Sequence, residues 1–232
     1  MERMSPAGAD RPMDRKAEPD ILIMTAVEAE REAVLRGLAG CPRAEVRIAG
    51  VGPASAAART AAALARGGWR LVVSAGLGGG FTGAAGIGDL VLADVIAAAD
   101  LGAETPNGFL TVDELGFGAS RIAADPDWTE RLARRIEAAG LPLRRGPVLT
   151  VSTAAGTAAT AAERARRVPG AAAEAMEGFG VASAAADAGV PVVELRAVSN
   201  AVGPRDRAAW RIPEALAALE AAFAAAKEVF GN

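Results

Sequence analysis

Short unbroken apolar runs alternate along the chain with longer stretches whose apolar residues recur every three or four positions. "DILIM" (20–24), "RLVVSAG" (70–76), "GPVLTVS" (146–152) and "VPVVELRAVSN" (190–200) are runs of the first kind. The first two predict buried strands, and the other two predict strands. "AEVRIAG" (44–50) alternates like a strand, "GDLVLADVIAAAD" (88–100) reads as a long strand, and "AAAEAM" (171–176) as a weak one. Helices are predicted over 25–38, 53–67, 127–140, 157–168, 177–189 and 213–230. Thr25 and Glu28 are spaced like a capping box, Pro53 takes a favoured first-turn position, and Gly140 ends its helix. Residues 106–121 carry mixed turn signals and read as a loop with short strands. Strands alternating with helices predict an α/β fold: three layers, α-β-α, around a mixed, largely parallel twisted sheet. No internal repeat or linker interrupts residues 19–232, which read as a single domain. The charged, proline-bearing residues 1–18 read as a disordered tail, with Met4 and Met13 as alternative starts.

Composition narrows the chemistry. The chain has 232 residues, 51% of them hydrophobic, so it can bury a sizeable core. That core is built from alanine and glycine, with no tyrosine and 6 phenylalanines, and brings backbones close together. A net charge of −3 without a basic patch argues against nucleic acid. The one cysteine, Cys41, excludes an internal disulfide and fits a reducing compartment. No apolar run reaches the ~18 residues of a membrane span, and the N-terminus has no apolar signal core. A cytoplasmic protein is expected. Histidine is absent. Acid–base work must therefore fall to carboxylates, Lys, Cys41 or a polarised water, and a zinc centre is not expected.

In an open α/β sheet, ligands bind beyond the carboxyl ends of the strands. Four such ends carry unusual residues: "TAVEAE", "SAGLGGGF", "EAMEG" and "RAVSNAVGPRDR". "GLGGGF" (76–81) is a poor match to a dinucleotide fingerprint, lacking the third glycine at the right offset. It reads either as a tight strand exit or as a loop whose backbone approaches a sugar or base. Glu28 reads as the cap partner, and Glu30 as either a solvated first-turn residue, favoured by the helix dipole, or a catalyst. Glu177 stands between an apolar run and two glycines, Gly178 and Gly180. A buried, unpaired carboxylate costs several kcal/mol, so Glu177 either faces solvent or awaits a partner with hydroxyls, as a ribose clamp would. Asn200 offers both a donor and an acceptor to a purine edge, or belongs to an ordinary polar loop.

Taken in order, "TAVEAE", "GLGGGF", "EAMEG" and "RAVSN" resemble the purine nucleosidase and phosphorylase superfamily. The pattern is similar to the nucleosidases that cleave methylthioadenosine and S-adenosylhomocysteine. Within them, Asn200 in place of an aspartate and the "SNAVGPRDRAAW" stretch resemble the futalosine hydrolases of the alternative menaquinone pathway. The resemblance spans about residues 20–230. It implies that Glu30 activates the attacking water and that Met176 and Glu177 lie under the ribose, Glu177 holding its hydroxyls. Val51 and Gly79 then line the ribose and base. Gly156 and Thr157 present backbone to the purine, with Gly156 where relatives carry a stacking aromatic. Ser199 and Asn200 sit beside the base, supported by Arg196. For futalosine, a benzoate-bearing 5′ chain calls for a cation and a flat apolar surface. Arg205, Arg207, Arg211 and Trp210 are the supply nearest in sequence.

The resemblance also implies a homodimer or larger homo-oligomer acting on a small purine nucleoside, with no cofactor, nucleic acid or membrane. Its rivals are a methylthioadenosine-type or aminofutalosine nucleosidase, a purine nucleoside phosphorylase, a non-catalytic purine-nucleoside binding protein and a nicotinamide-dependent oxidoreductase.

Overall fold

The computed structural model describes residues 18–231. The expected tail, with Met4 and Met13, lies outside the described residues except for Glu18. Strand β1 (Ile21–Thr25) pairs in parallel with β2 (Ala44–Ile48) on one side and β3 (Leu71–Gly80) on the other. β3 pairs in parallel with β10 (Val192–Ala201), which runs antiparallel to β4 (Leu90–Ala98). β4, β8 (Leu143–Thr150) and β9 (Ala173–Ala175) are parallel neighbours, and β9 returns antiparallel to β3. Strands β3, β10, β4, β8 and β9 thus form a closed circuit of hydrogen bonds. β7 (Arg121–Ala123) edges β4, and β5 (Gly102–Thr105) and β6 (Gly108–Thr111) make a separate hairpin.

Period-two alternation sends successive side chains to opposite layers. Ile21, Ile23, Leu71 and Val73 pack against α1 (Glu28–Gly37), α3 (Pro126–Ala138) and α6 (Ile212–Gly231). Leu22, Met24 and Val72 pack against α2 (Pro53–Leu64) and α5 (Gly178–Asp187). Helix α4 (Ala158–Arg167) contributes Ala161 and Ala165 to a third cluster with Phe81 and Leu149. The mixed sheet between helical layers matches the expected architecture. The apolar runs were continuous because both their faces are covered.

Two local expectations are corrected. The glycine run is strand, not loop: β3 continues through Gly80, with Gly76 opposite Arg196 and Gly79 opposite both Asn200 and Glu174. A side chain at Gly78 or Gly80 would run into the carbonyls of Glu174 or Ala85. The capping box also shifts. Thr25 is the last residue of β1, and its hydroxyl is buried without a hydrogen-bond partner among the described residues. α1 starts at Glu28, and Glu30 reaches back to accept from the amides of Ala26 (2.8 Å) and Val27 (3.3 Å). Glu28 pairs instead with Arg31 at the surface.

Helix α5 lies so close to α2 that a Cβ at Gly180 would overlap the Pro53 carbonyl. Alanine would raise helix propensity by ~1 kcal/mol, but overpacking against immobile backbone costs ~1–3 kcal/mol. Gly180→Ala is expected to lower the midpoint of denaturant unfolding, whereas Gly156→Ala, in open space, should leave it unchanged.

Candidate active site

Glu177 stands at the N-cap of α5, immediately after β9. Its side chain turns inward, and the residue is 6% exposed. The solvent-facing alternative does not hold, and the carboxylate is not unpaired. One oxygen accepts from the Gly52 amide at 3.4 Å, and the other from Arg196 Nη1 at 3.2 Å. A cation already buried beneath the site compensates the carboxylate. The two glycines that follow provide close approach. A Cβ at Gly178 would collide with the Glu194 carboxylate, as one at Gly180 would with Pro53.

Arg196 is the hub of this buried network. Strand β10 places its side chain on the same face as that of Glu194, two residues earlier. Its Nε donates to Glu194 Oε1 at 2.8 Å, Nη2 to Ser74 Oγ at 3.0 Å, and Nη1 to Glu177 and, at 3.4 Å, to the Leu77 carbonyl. Burial alone would weaken the guanidinium's hold on its proton. The surrounding Glu194, Glu177 and Glu30 reverse that and raise its pKa. Arg196 therefore anchors carboxylates; its side-chain hydrogen bonds go to these groups and not to Ser199 or Asn200, the pair it was expected to support.

Glu30 reaches the same place from α1. Its Oε1 accepts from the Leu77 amide at 2.8 Å, while Oε2 holds the two α1 cap amides. Gly76 makes room: a Cβ there would lie 2.6 Å from Glu30 Oε1 and 2.8 Å from Arg196 Nη1. Burial pushes the Glu30 carboxyl above the ordinary glutamate range. Arg196 and the amides of Leu77 and Ala26 oppose this, and Glu177 adds to it. The solvated first-turn reading of Glu30 does not hold, because the residue is 6% exposed.

The opposite wall comes from the end of β10. Ser199 Oγ donates to Asn200 Oδ1 at 2.9 Å, and Asn200 Nδ2 donates to the Ala201 carbonyl at 2.9 Å. Together these bonds fix which way the amide points and leave one N–H of Nδ2 without a partner among the described residues. Gly79 permits this approach, since a Cβ there would sit 3.1 Å from Nδ2. On β9, Glu174 also lines the cleft and is buried between Arg164 of α4, with which it makes a short ion pair, and the Ala155 amide (2.8 Å). Arg164 also holds the Thr153 carbonyl. Glu174 thus ties the 152–157 loop to β9.

These groups surround a cleft of about 270 Å³. Glu30, Val51, Gly79, Met176, Glu177, Ser199, Asn200, Arg205 and Trp210 all line it, and the Arg205 guanidinium lies 5.4 Å from the Trp210 ring centroid. Gly156 and Thr157 do not line it. Ala154 and Ala155 take that wall, and the Thr157 hydroxyl caps α4 through the Thr160 amide. Arg207 and Arg211 also lie off the cleft lining; Arg211 bonds the carbonyls of Ala208 and Trp210. Sequence reasoning missed Glu194, although a glutamate two places before an arginine in an apolar strand is a visible signal. Among the described residues, no cluster of three His, Cys, Asp or Glu side chains is placed to hold a metal. No helix there is long and apolar enough to cross a membrane.

Comparison with known proteins agrees with this architecture. Residues 23–230 match the family model described as the phosphorylase superfamily. The chain is 55% identical over 220 residues to a futalosine hydrolase of Streptomyces coelicolor, covering 86% of this chain and 91% of that one. It is 51% identical over 217 residues to a futalosine hydrolase of Acidothermus cellulolyticus, covering 88% of each. Among solved structures, a futalosine hydrolase mutant of Helicobacter pylori superposes with a TM-score of 0.79 at 16% identity, covering 91% of this chain and 99% of that one. The methylthioadenosine/S-adenosylhomocysteine nucleosidase of Neisseria meningitidis, in complex with methylthio-immucillin-A, gives 0.76 at 19% identity, with the same shares covered. These two share the fold. From the family match and the two sequence relatives together, the chain belongs to the phosphorylase superfamily and, within it, to the futalosine hydrolases.

Proposed function

We propose that residues 19–232 act as one nucleosidase domain that hydrolyses the N-glycosidic bond of futalosine, releasing hypoxanthine and dehypoxanthine futalosine in menaquinone biosynthesis. One observation carries the mechanism: two buried carboxylates, Glu30 and Glu177, converge on one cleft and share a single buried arginine. Glycoside cleavage builds positive charge on the ribosyl ring and negative charge on the departing base. Groups that meet those charges only as they develop raise the rate. Glu177 sits under the ribose, accepts from its hydroxyls and stabilises the ring cation. Glu30, held by three backbone amides, takes a proton from the attacking water. Met176 and Val51 pack against the sugar.

At the base, the free N–H of Asn200 Nδ2 meets purine nitrogen 7 or oxygen 6, both acceptors. A 6-oxopurine leaves readily as an anion because its charge spreads onto the oxygen, so an amide donor suffices where an aspartic acid would deliver a full proton. Arg205 and Trp210 at the mouth offer a cation and a flat face to the 5′ benzoate. A phosphate nucleophile is disfavoured. Arg205 is the one arginine among the described lining residues, and Glu30, Glu174 and Glu177 face the cleft. The reading needs neither metal nor cofactor, and it carries with it a cytoplasmic homodimer or larger homo-oligomer.

Incubated with futalosine in phosphate buffer, the protein should release hypoxanthine and the free sugar; a sugar 1-phosphate would identify a phosphorylase. Glu30→Gln should cost ~10²–10⁴-fold in turnover. Because the folded Glu30 pKa is raised, its carboxylate is lost early as pH falls. The acid limb of kcat/KM should therefore lie above the ordinary glutamate range and disappear in the amide variant.

Glu177→Ala should cut kcat/KM by at least ~10²-fold, since bonds to a charged group contribute ~1.5–3 kcal/mol each. It should also unfold more easily, because Arg196 Nη1 is left with the Leu77 carbonyl alone. A 2′-deoxy substrate should be penalised less by the variant than by wild type. Equal penalties would place the ribose elsewhere.

Asn200→Asp replaces an N–H by an acceptor. The ratio of kcat/KM for futalosine to that for its 6-amino analogue should fall by ~10-fold or more. An unchanged ratio would move base recognition to the Ala154–Ala155 wall.

A further inference from the structure

Glu194 has no place in the chemistry above, yet it is fully buried, and its Oε2 has no hydrogen-bond partner among the described residues. A buried carboxylate in that state is expensive, and the fold makes room for it: Gly178 lacks the Cβ that would strike it. Its one side-chain bond is Oε1 to Arg196 Nε at 2.8 Å. Arg196, 1% exposed, presents its other edge to Glu177 at 3.2 Å. Without Glu194, a full positive charge would stand directly behind Glu177, where little water screens it. That charge would oppose the cation forming on the ribosyl ring.

We infer that Glu194 is a positioning residue for glycoside cleavage: it holds the Arg196 guanidinium edge-on to Glu177 and cancels its charge, so that the developing ribosyl cation meets a net negative floor. The inference rests on the N-glycosidase reading above. Because the bound nucleoside sugar is neutral and the transition state cationic, removing the Glu194 charge acts on the transition state far more than on the ground state. A residue that only supported the fold would weaken both alike.

The test compares two ligands in wild type, Glu194→Gln and Glu194→Asp. One is a nucleoside analogue with a protonated nitrogen in the sugar ring; the other is a neutral, uncleavable nucleoside of the same base. Glu194→Gln keeps an acceptor for Arg196 Nε and removes the charge. It should lose about tenfold or more in affinity for the cationic analogue and less than about threefold for the neutral one. kcat should fall about tenfold or more, with KM within about threefold of wild type. Glu194→Asp keeps the charge and should keep the cation preference. Should the amide variant fail to give a cooperative thermal transition, Glu194→Met, neutral and of similar volume, replaces it.

An unchanged preference in the neutral variant, a loss equal for both ligands, or an equal loss of preference in the Asp variant would overturn the inference alone. A wild-type protein with no preference for the cationic analogue would overturn the N-glycosidase reading and this inference with it.

Discussion

The site depends on one buried positive charge. Arg196 is the cation that lets Glu177 and Glu194 lie in the interior, and its charge also acts on Glu30. An isolated carboxylate in such surroundings would take up a proton or force its way to water. A single guanidinium, planar and with five donors, can serve several partners at once, as a lysine could not. In exchange its donors need partners, and four bonds reach two carboxylates, a hydroxyl and a carbonyl. Replacing such a cluster by well-packed apolar side chains is often neutral or stabilising. Its retention here is better understood through what it holds open to the cleft than through stability.

The glycines belong to the same arrangement. Gly76 admits Glu30 and Arg196, Gly178 admits Glu194, and Gly79 admits Asn200. Each absent side chain marks where a polar group from another element arrives. The run "GLGGG" is thus the imprint, along one strand, of the residues opposite it on β9, β10 and α1.

Much of this was legible in the sequence. Continuous apolar runs declared strands, and the residues at their carboxyl ends do converge on one cleft. What escaped was contact between residues distant in the chain. Nothing near Glu177 shows that Arg196, 19 residues on, is its partner, so the carboxylate was read as solvent-facing or waiting. The glycine run read as a loop because strand propensity is low for glycine, and the tertiary fit of β3 between β9 and β10 overrides that. The Thr25 and Glu28 spacing matched a capping box, but the strand runs on through Thr25 and moves the cap to Glu30. The resemblance points to Gly156 and Thr157, but a shift of two residues along the loop puts Ala154 and Ala155 at the cleft instead.

The closed circuit of β3, β10, β4, β8 and β9 has a consequence for how such a site can diversify. An open sheet can change the width of a cleft by altering its twist or adding a strand at its edge. A closed one cannot widen without breaking a ladder of hydrogen bonds somewhere in the ring. Glu30 and Glu177 stand on or against this ring, so the distance between the two carboxylates is set by the geometry of the whole circuit. The rim segments, 152–157 and 203–210, leave the ring, and their side chains can change without touching its ladders. Altered substrate range in such a protein is therefore a matter of rewriting its rim, while the bond it breaks is fixed by its floor.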